Sequence, residues 1–338
     1  MKKLLLALVS LLLLSGCAEA EPSPEDVSFK KEEVMLYSSM QDKQIKALKK
    51  GFEAKYPHIT MNYQFGGTGK ILTKLNTEIQ FGDIRADLIW TGNPASYIAL
   101  KEHRLLNPYI SPEAENIDPM FKDPEDYYVG GRIFSSVIAY NTELVKESEA
   151  PKNWKDLLDP KWADKIIMAD PYSSGSSSYV MSALMQNPEY GPEFFEKLRA
   201  NGCMLENGTT ATHKQVAEAK YAICIGLDYV VGNFIDEGLP IAMNYPEKDG
   251  IAIYCPIGLV SGGPNEVNGK LLYDYILSEE GQQLLAENHL MSIRDDVSQS
   301  GFTVTELMEN SIDVNIEELC HMENKYLKDF DRIFFSER

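Results

Sequence analysis

VMLYSSMQDKQIKALKKGFEAKYPHITMNYQFGGTGKILTKLNTEIQFGDIRADLIWTGNP, residues 34–94, decides the fold. Val34 to Tyr37 is a short β-type run, and Asp42 to Lys55 then repeats Ile45, Leu48 and Phe52 at helical spacing. Ile59 to Tyr63 is a second β run. The turn Gly66-Gly67-Thr68-Gly69 opens a helix with Ile71, Leu72, Leu75 and Ile79 on one face. Ala86 to Trp90 is a third strand, ending at Thr91-Gly92-Asn93-Pro94. Such alternation predicts an α/β fold with a largely parallel sheet. Ligands of open α/β sheets bind beyond the carboxyl ends of the strands, so the polar turns after these three strands are the expected place for a site.

The plan restarts downstream. Lys165 to Ala169 is a strand that leads into Ser173-Ser174-Gly175-Ser176-Ser177-Ser178 and a helix with Met181, Leu184 and Met185. Ala222 to Gly226 is another strand, followed by Asp228-Tyr229 and a helix to Glu237. Two units of this kind imply chain crossings near Gly131 to Asn141 and near Ile241 to Pro256. Amphipathic helices at Lys270 to Leu277 and Gly281 to Glu287 then rejoin the first unit, and a last helix spans Ile316 to Phe330.

The two ends read differently. Lys2 and Lys3 precede an apolar run, Leu4 to Leu14, too short to span a bilayer, which is the pattern of a secretory leader. It ends in Leu14-Ser15-Gly16-Cys17, similar to the bacterial lipobox, which makes Cys17 the expected lipidation site and membrane anchor. Residues 17–31 are polar and Pro-rich and form a tether. The expected division is therefore a leader over 1–16, a tether over 17–31, a first lobe over 32–131, a second over 132–250, and a return to the first over 251–338.

The chain carries 32 basic and 51 acidic residues, and loss of Lys2 and Lys3 with the leader takes the net charge from −19 to −21. That balance argues against nucleic acid as a partner and for solubility. Cys203, Cys224, Cys255 and Cys320 are too widely spaced for a zinc or CxxC pattern, leaving buried thiols or one or two disulfides. The five histidines, His58, His103, His213, His289 and His321, lack ligand spacing, and no metal or cofactor is expected. Gly66 to Ile71 fails as a phosphate-binding P-loop because Ile71 stands where Ser or Thr is required.

Four stretches in fixed order resemble the type II periplasmic binding proteins, in the cluster of ferric-ion, phosphonate, sugar-phosphate and polyamine binders. They are Leu36-Tyr37-Ser38-Ser39 with Gly67-Thr68-Gly69 and Ala86 to Trp90; Trp154 to Trp162; Asp170 to Gly175; and Leu277 to Gln282. The resemblance implies two lobes, each a mixed, mostly parallel sheet flanked by helices, with a hinge between them. It also implies capture of a small solute in the interlobe cleft, export to the periplasmic or outer face of a membrane, and a monomer that serves an ABC permease and ATPase.

Hydroxyl residues and glycines before helices put free N–H groups and a positive dipole end in one place, which suits an anion. The candidate ligand contacts are Ser38, Ser39, Thr68, Thr91, Asn93, Ser174, Gly175, Ser176, Ser177, Asp228, Tyr229 and Asp249. Each serine or threonine has an alternative role as an N-cap. The resemblance to ferric binders implies a histidine, a glutamate and a tyrosine pair; here Met40-Gln41, Gly92 and Asp228-Tyr229 stand there, too few hard oxygens for iron. The resemblance to sugar-phosphate binders implies carboxylates toward sugar hydroxyls, which Asp228 and Asp249 fit, and a serine cluster toward the phosphate. The expected ligand is thus a small organophosphate, with ferric ion second. No hydrolase motif supports an enzyme. A ligand-presenting subunit for a sensor kinase would share every one of these features.

Overall fold

The computed structural model describes residues 32–297 and 303–335. The leader, Cys17 and the tether lie outside the described residues. β1 (Glu32–Ser38), α1 (Asp42–Lys55), β2 (Ile59–Phe65), α2 (Thr68–Phe81), β3 (Leu88–Trp90) and α3 (Ala95–Glu102) follow the expected alternation, and α1 buries Ile45, Leu48 and Phe52 as its spacing requires. β4 (Leu106–Asn107) leads to β5 (Val129–Asn141). The segment expected to form the second lobe holds β6 (Ile166–Ala169), α4 (Gly175–Gln186), α5 (Gly191–Ala200), β7 (Met204–Glu206), α6 (Thr209–Ala217), β8 (Ile223–Leu227), α7 (Asp228–Asp236) and β9 (Ile241–Asn244). β10 (Ile251–Val260), α8 (Glu266–Leu277), α9 (Glu279–Ala286), α10 (Val304–Glu309) and α11 (Ile316–Phe335) complete the chain.

The strands form one sheet in the order β2-β1-β3-β10-β5-β8-β6-β7. Both ends are parallel, with β1 between β2 and β3, and β6 between β7 and β8. The centre departs from the largely parallel expectation. β10 runs antiparallel to β3 and β5, and β5 antiparallel to β8 and β9. The reason is connectivity: β5 and β10 carry the chain out of the first lobe and back, so they must run in opposite senses. β5 is buried at all 13 positions, as a strand covered on both faces must be.

The β5–β10 ladder contains a register shift between Cys255, opposite Arg132, and Pro256, opposite Gly130. Proline has no N–H to offer the ladder, and the shift leaves Gly131 as the extra residue of a bulge, a device that re-aims neighbouring side chains. The Trp90 indole packs where a Gly131 side chain would stand, and the Gly131 carbonyl accepts from Gln282 Nε2 at 2.7 Å. The bulge is therefore held from both sides.

α11 packs against α3 of the first lobe and against α4 and α5 of the second. Its Glu323 Oε1 accepts from Asn93 Nδ2 at 2.8 Å and from Ser178 Oγ at 2.6 Å, so one carboxylate ties the two lobes. Cys203, Cys224 and Cys255 are free and buried, and Cys320 is free and half-buried. The thiol reading holds and the disulfide alternative does not. Among the described residues no helix is long and apolar enough to cross a membrane.

Candidate functional site

A cavity of about 500 Å³ lies where the turns after β1, β2 and β3 face the starts of α4 and α6. Four helices begin on its wall: α1 after Ser39 and Gln41, α2 at Thr68, α4 at Gly175 and α6 at Thr209. Gly67 and Gly208 are the N-caps of α2 and α6, and neither helix start is capped by a side chain. Their first-turn N–H groups, with the positive ends of four helix dipoles, make the cavity a favourable place for negative charge. Only α4 spends a hydroxyl on its own cap, Ser174 Oγ accepting from Ser177 N at 3.2 Å.

The hydroxyls form a connected rim. Ser174 Oγ lies 3.0 Å from Ser176 Oγ and 2.7 Å from Thr209 Oγ1. Gln41 Nε2 donates across the lobes to Thr210 Oγ1 at 3.1 Å, and Ser39 Oγ accepts from Gly92 N at 3.0 Å. The lobes close tightly around this rim. A side chain at Gly67 would overlap the Ser173 carbonyl oxygen, and one at Gly175 would overlap Thr68.

Arg132 lines the cavity and is 1% exposed. Its guanidinium sits in a cage of Trp90, Phe134 and Tyr229 rings, with centroids 5.5, 5.3 and 5.6 Å away. Nε and Nη1 are buried with no hydrogen-bond partner, and among the described residues no carboxylate lies within ion-pairing distance. A buried cation left this way is costly, and an anion that supplies its missing acceptors recovers the cost. Arg132 and Lys70 are not among the twelve contacts drawn from the sequence, and both line the cavity. The bulge signal that finds Arg132 is Gly130-Gly131 opposite Pro256, legible only once the β5–β10 pairing is known.

Of the twelve candidate contacts, Ser39, Thr68, Ser174, Gly175, Ser176 and Tyr229 meet at this cavity. The other six do not line it. Ser38 Oγ donates to Trp90 O and accepts from Met40 N, holding the turn after β1. Thr91 is fully buried beneath the wall, its N–H donating to Tyr97 Oη. Asn93 Oδ1 accepts from Ala95 N at the start of α3, and its Nδ2 donates to Glu323. Ser177 Oγ donates to Ala169 O at 2.5 Å.

Asp249 faces away: its Oδ2 accepts from Tyr190 Oη at 2.7 Å and its carbonyl from Trp154 Nε1, with φ at +56°. Asp228 also leaves the cleft. Its carboxylate turns behind β5, accepting from Ser135 N at 2.9 Å and Tyr229 N at 2.7 Å, with Tyr245 Oη at 3.4 Å. It borders a separate hollow with Met243, Tyr245 and His289. The N-terminus of α7 draws it there, because a first-turn carboxylate finds backbone donors locally. The Gly208-Thr209-Thr210 start of α6 was overlooked, although glycine and hydroxyls before an amphipathic helix are the same signal that marked Ser174 to Ser176.

His213 anchors that start. Its Nδ1–H donates to Thr209 O at 2.7 Å, and Nε2 accepts from Leu227 N at 2.9 Å, which fixes a neutral tautomer. Burial pushes it down from 6.5 to about 4. Burial also pushes Asp228 up from 3.8 to about 7, against the opposing N–H groups of Ser135 and Tyr229.

These shifts act oppositely on stability. The folded chain binds the Asp228 proton more tightly than the unfolded chain, so its contribution is present below pH ~4 and is lost as pH rises to ~7. The folded chain binds the His213 proton less tightly, so that contribution is present above pH ~6.5 and is lost as pH falls to ~4. In the wild type they largely cancel. We expect the unfolding free energy of Asp228→Asn, relative to wild type, to climb by on the order of 4 kcal/mol between pH ~4 and ~7. Urea denaturation at a series of pH values measures it, and a difference that does not vary with pH contradicts the assignment.

Residues 83–301 match the family described as bacterial extracellular solute-binding proteins. The putative 2-aminoethylphosphonate-binding periplasmic protein of Salmonella typhimurium is 28% identical over 72% of both chains. Iron uptake protein A1 of Synechocystis is 24% identical over 82% of this chain and 80% of the relative. Among solved structures, the periplasmic binding protein AfuA of Actinobacillus pleuropneumoniae with fructose-6-phosphate bound superposes with a TM-score of 0.80. It is 25% identical, covering 91% of this chain and 100% of AfuA. Iron-bound HitA of Pseudomonas aeruginosa, at 19% identity, covers 88% of this chain and 99% of HitA with a TM-score of 0.76, and shares the fold. Two lobes, a cleft walled by four helix starts, and a family match across well over half the sequence agree: the chain belongs to the bacterial extracellular solute-binding proteins.

Proposed function

We propose that this chain is the solute-capturing subunit of an ABC importer, and that it holds a small organophosphate, a sugar phosphate or a phosphonate, in the interlobe cleft. The observation that carries this reading is Arg132, a caged guanidinium with two buried nitrogens, Nε and Nη1, lacking acceptors. Around it Ser39, Thr68, Ser174, Gly175, Ser176, Thr209, Thr210, Lys70 and Tyr229 contribute hydroxyl, backbone and ammonium donors. Relatives named for 2-aminoethylphosphonate and fructose-6-phosphate support the class, and membership of the extracellular solute-binding family supports the role.

In this reading Cys17 bears the lipid, residues 17–31 span from membrane to fold, and lobes bounded at 131 and 250 close about the β5–β10 crossing. The chain works as a monomer that docks on a permease and ATPase, and it catalyses nothing. Bare ferric ion fits poorly. Among the described residues Tyr229 is the one on the cavity wall with an ionisable oxygen; burial raises its phenol, and a trivalent cation there would face the Arg132 guanidinium. Among the described residues no three His, Cys, Asp or Glu side chains cluster as a metal site.

A thermal-shift panel of hexose phosphates, phosphonates, phosphoglycerates, polyamines and ferric citrate tests the reading, because a ligand that binds only the folded chain raises its melting temperature. We expect shifts with the organophosphates alone. A shift confined to iron or polyamines overturns it.

A further inference from the structure

A ligand ammonium group is held most strongly by a carboxylate or by an open aromatic face, which offset its desolvation better than neutral oxygens do. The cleft offers neither. Among the described residues its lining contains no Asp or Glu, and the rings of Trp90, Phe134 and Tyr229 already enclose the protein's own Arg132. The carboxylate behind the wall, Asp228, is turned toward Ser135 and Tyr245, and burial holds it at about 7, so it is only partly charged at neutral pH. Against this stand two cationic side chains, Arg132 and Lys70, and four helix starts.

We propose, building on the organophosphate reading, that the cleft selects a tetrahedral dianion (a phosphate monoester or phosphonate) on a neutral, hydroxylated tail, and rejects otherwise identical ligands that carry an ammonium group. The buried Arg132, with the exposed Lys70 at the cavity's edge, matches a dianion. The remaining wall supplies what a polyol tail needs: Gln41, Asn207 and the hydroxyl rim as neutral donors and acceptors, with Phe65 and Phe134 as apolar surface. An ammonium group in this space would lose water beside the Arg132 guanidinium and find no carboxylate on the lining to answer it, where low dielectric strengthens the repulsion.

Isothermal titration of the full mature lipoprotein in detergent, with two matched pairs, tests this. The pairs are glucose 6-phosphate against glucosamine 6-phosphate, and 2-hydroxyethylphosphonate against 2-aminoethylphosphonate; within each pair the members are nearly isosteric. In whichever pair binds, the hydroxyl member is expected to bind at least tenfold more tightly. Equal affinity, or preference for the amine, overturns the selectivity and leaves the organophosphate reading standing. Failure of all four to bind overturns that reading and the selectivity with it.

Discussion

Arg132→Met is expected to lose at least 100-fold in organophosphate affinity while the unliganded protein melts at the same temperature or higher. The two halves of this result have one cause. Methionine fills much of the arginine's volume within the Trp90, Phe134 and Tyr229 cage but removes a buried charge whose Nε and Nη1 lack partners. Replacing an unpaired buried ion with an apolar side chain is commonly neutral or stabilising. Removing the counter-charge of a desolvated anion costs ~3 kcal/mol or more in binding, which is the stated loss in affinity. A residue kept at the expense of stability is expected at a functional site. Titration calorimetry and a melting curve on one preparation check both halves. Lower stability with unchanged affinity would make Arg132 a packing residue.

Gly67→Ala is expected to weaken binding at least 30-fold without loss of fold. Gly67 has φ −56° and ψ 148°, a conformation open to alanine, so the substitution strains no backbone. What it meets is the opposite lobe, because the new methyl would overlap the Ser173 carbonyl oxygen. The lobes must then stand apart, and a ligand that gains affinity from touching both loses one set of contacts. Solution scattering with saturating ligand is predicted to show the variant more extended than wild type. Wild-type affinity together with wild-type compaction would place closure elsewhere.

Local pattern carried much of this protein, because strands and helices are written in short-range periodicity. Val34 to Tyr37 and Ile59 to Tyr63 became strands, Lys165 to Ala169 did so from Ile166 onward, and Asp42 to Lys55 became α1 at those bounds. Glycine and serine before helices identified the wall of the cleft, since capping chemistry is also local. What escaped depends on pairings distant in sequence. Whether a polar side chain faces a cleft or the back of its own strand cannot be read from neighbours along the chain. Asp228 and Asp249 therefore looked like ligand carboxylates, yet one serves Ser135 and Tyr229 and the other serves Tyr190. Arg132 needed the opposite information, a proline more than a hundred residues away that shifts the register beside it. The antiparallel centre of the sheet was hidden for the same reason.

The most direct test of the account is a crystal structure of the mature protein with the tightest organophosphate from the ligand panel. The account predicts a tetrahedral head group between the lobes, its oxygens about 2.8 Å from Arg132 Nε and Nη1, the length of a charge-assisted hydrogen bond. A head group bound elsewhere, with those two nitrogens still lacking acceptors, would contradict it.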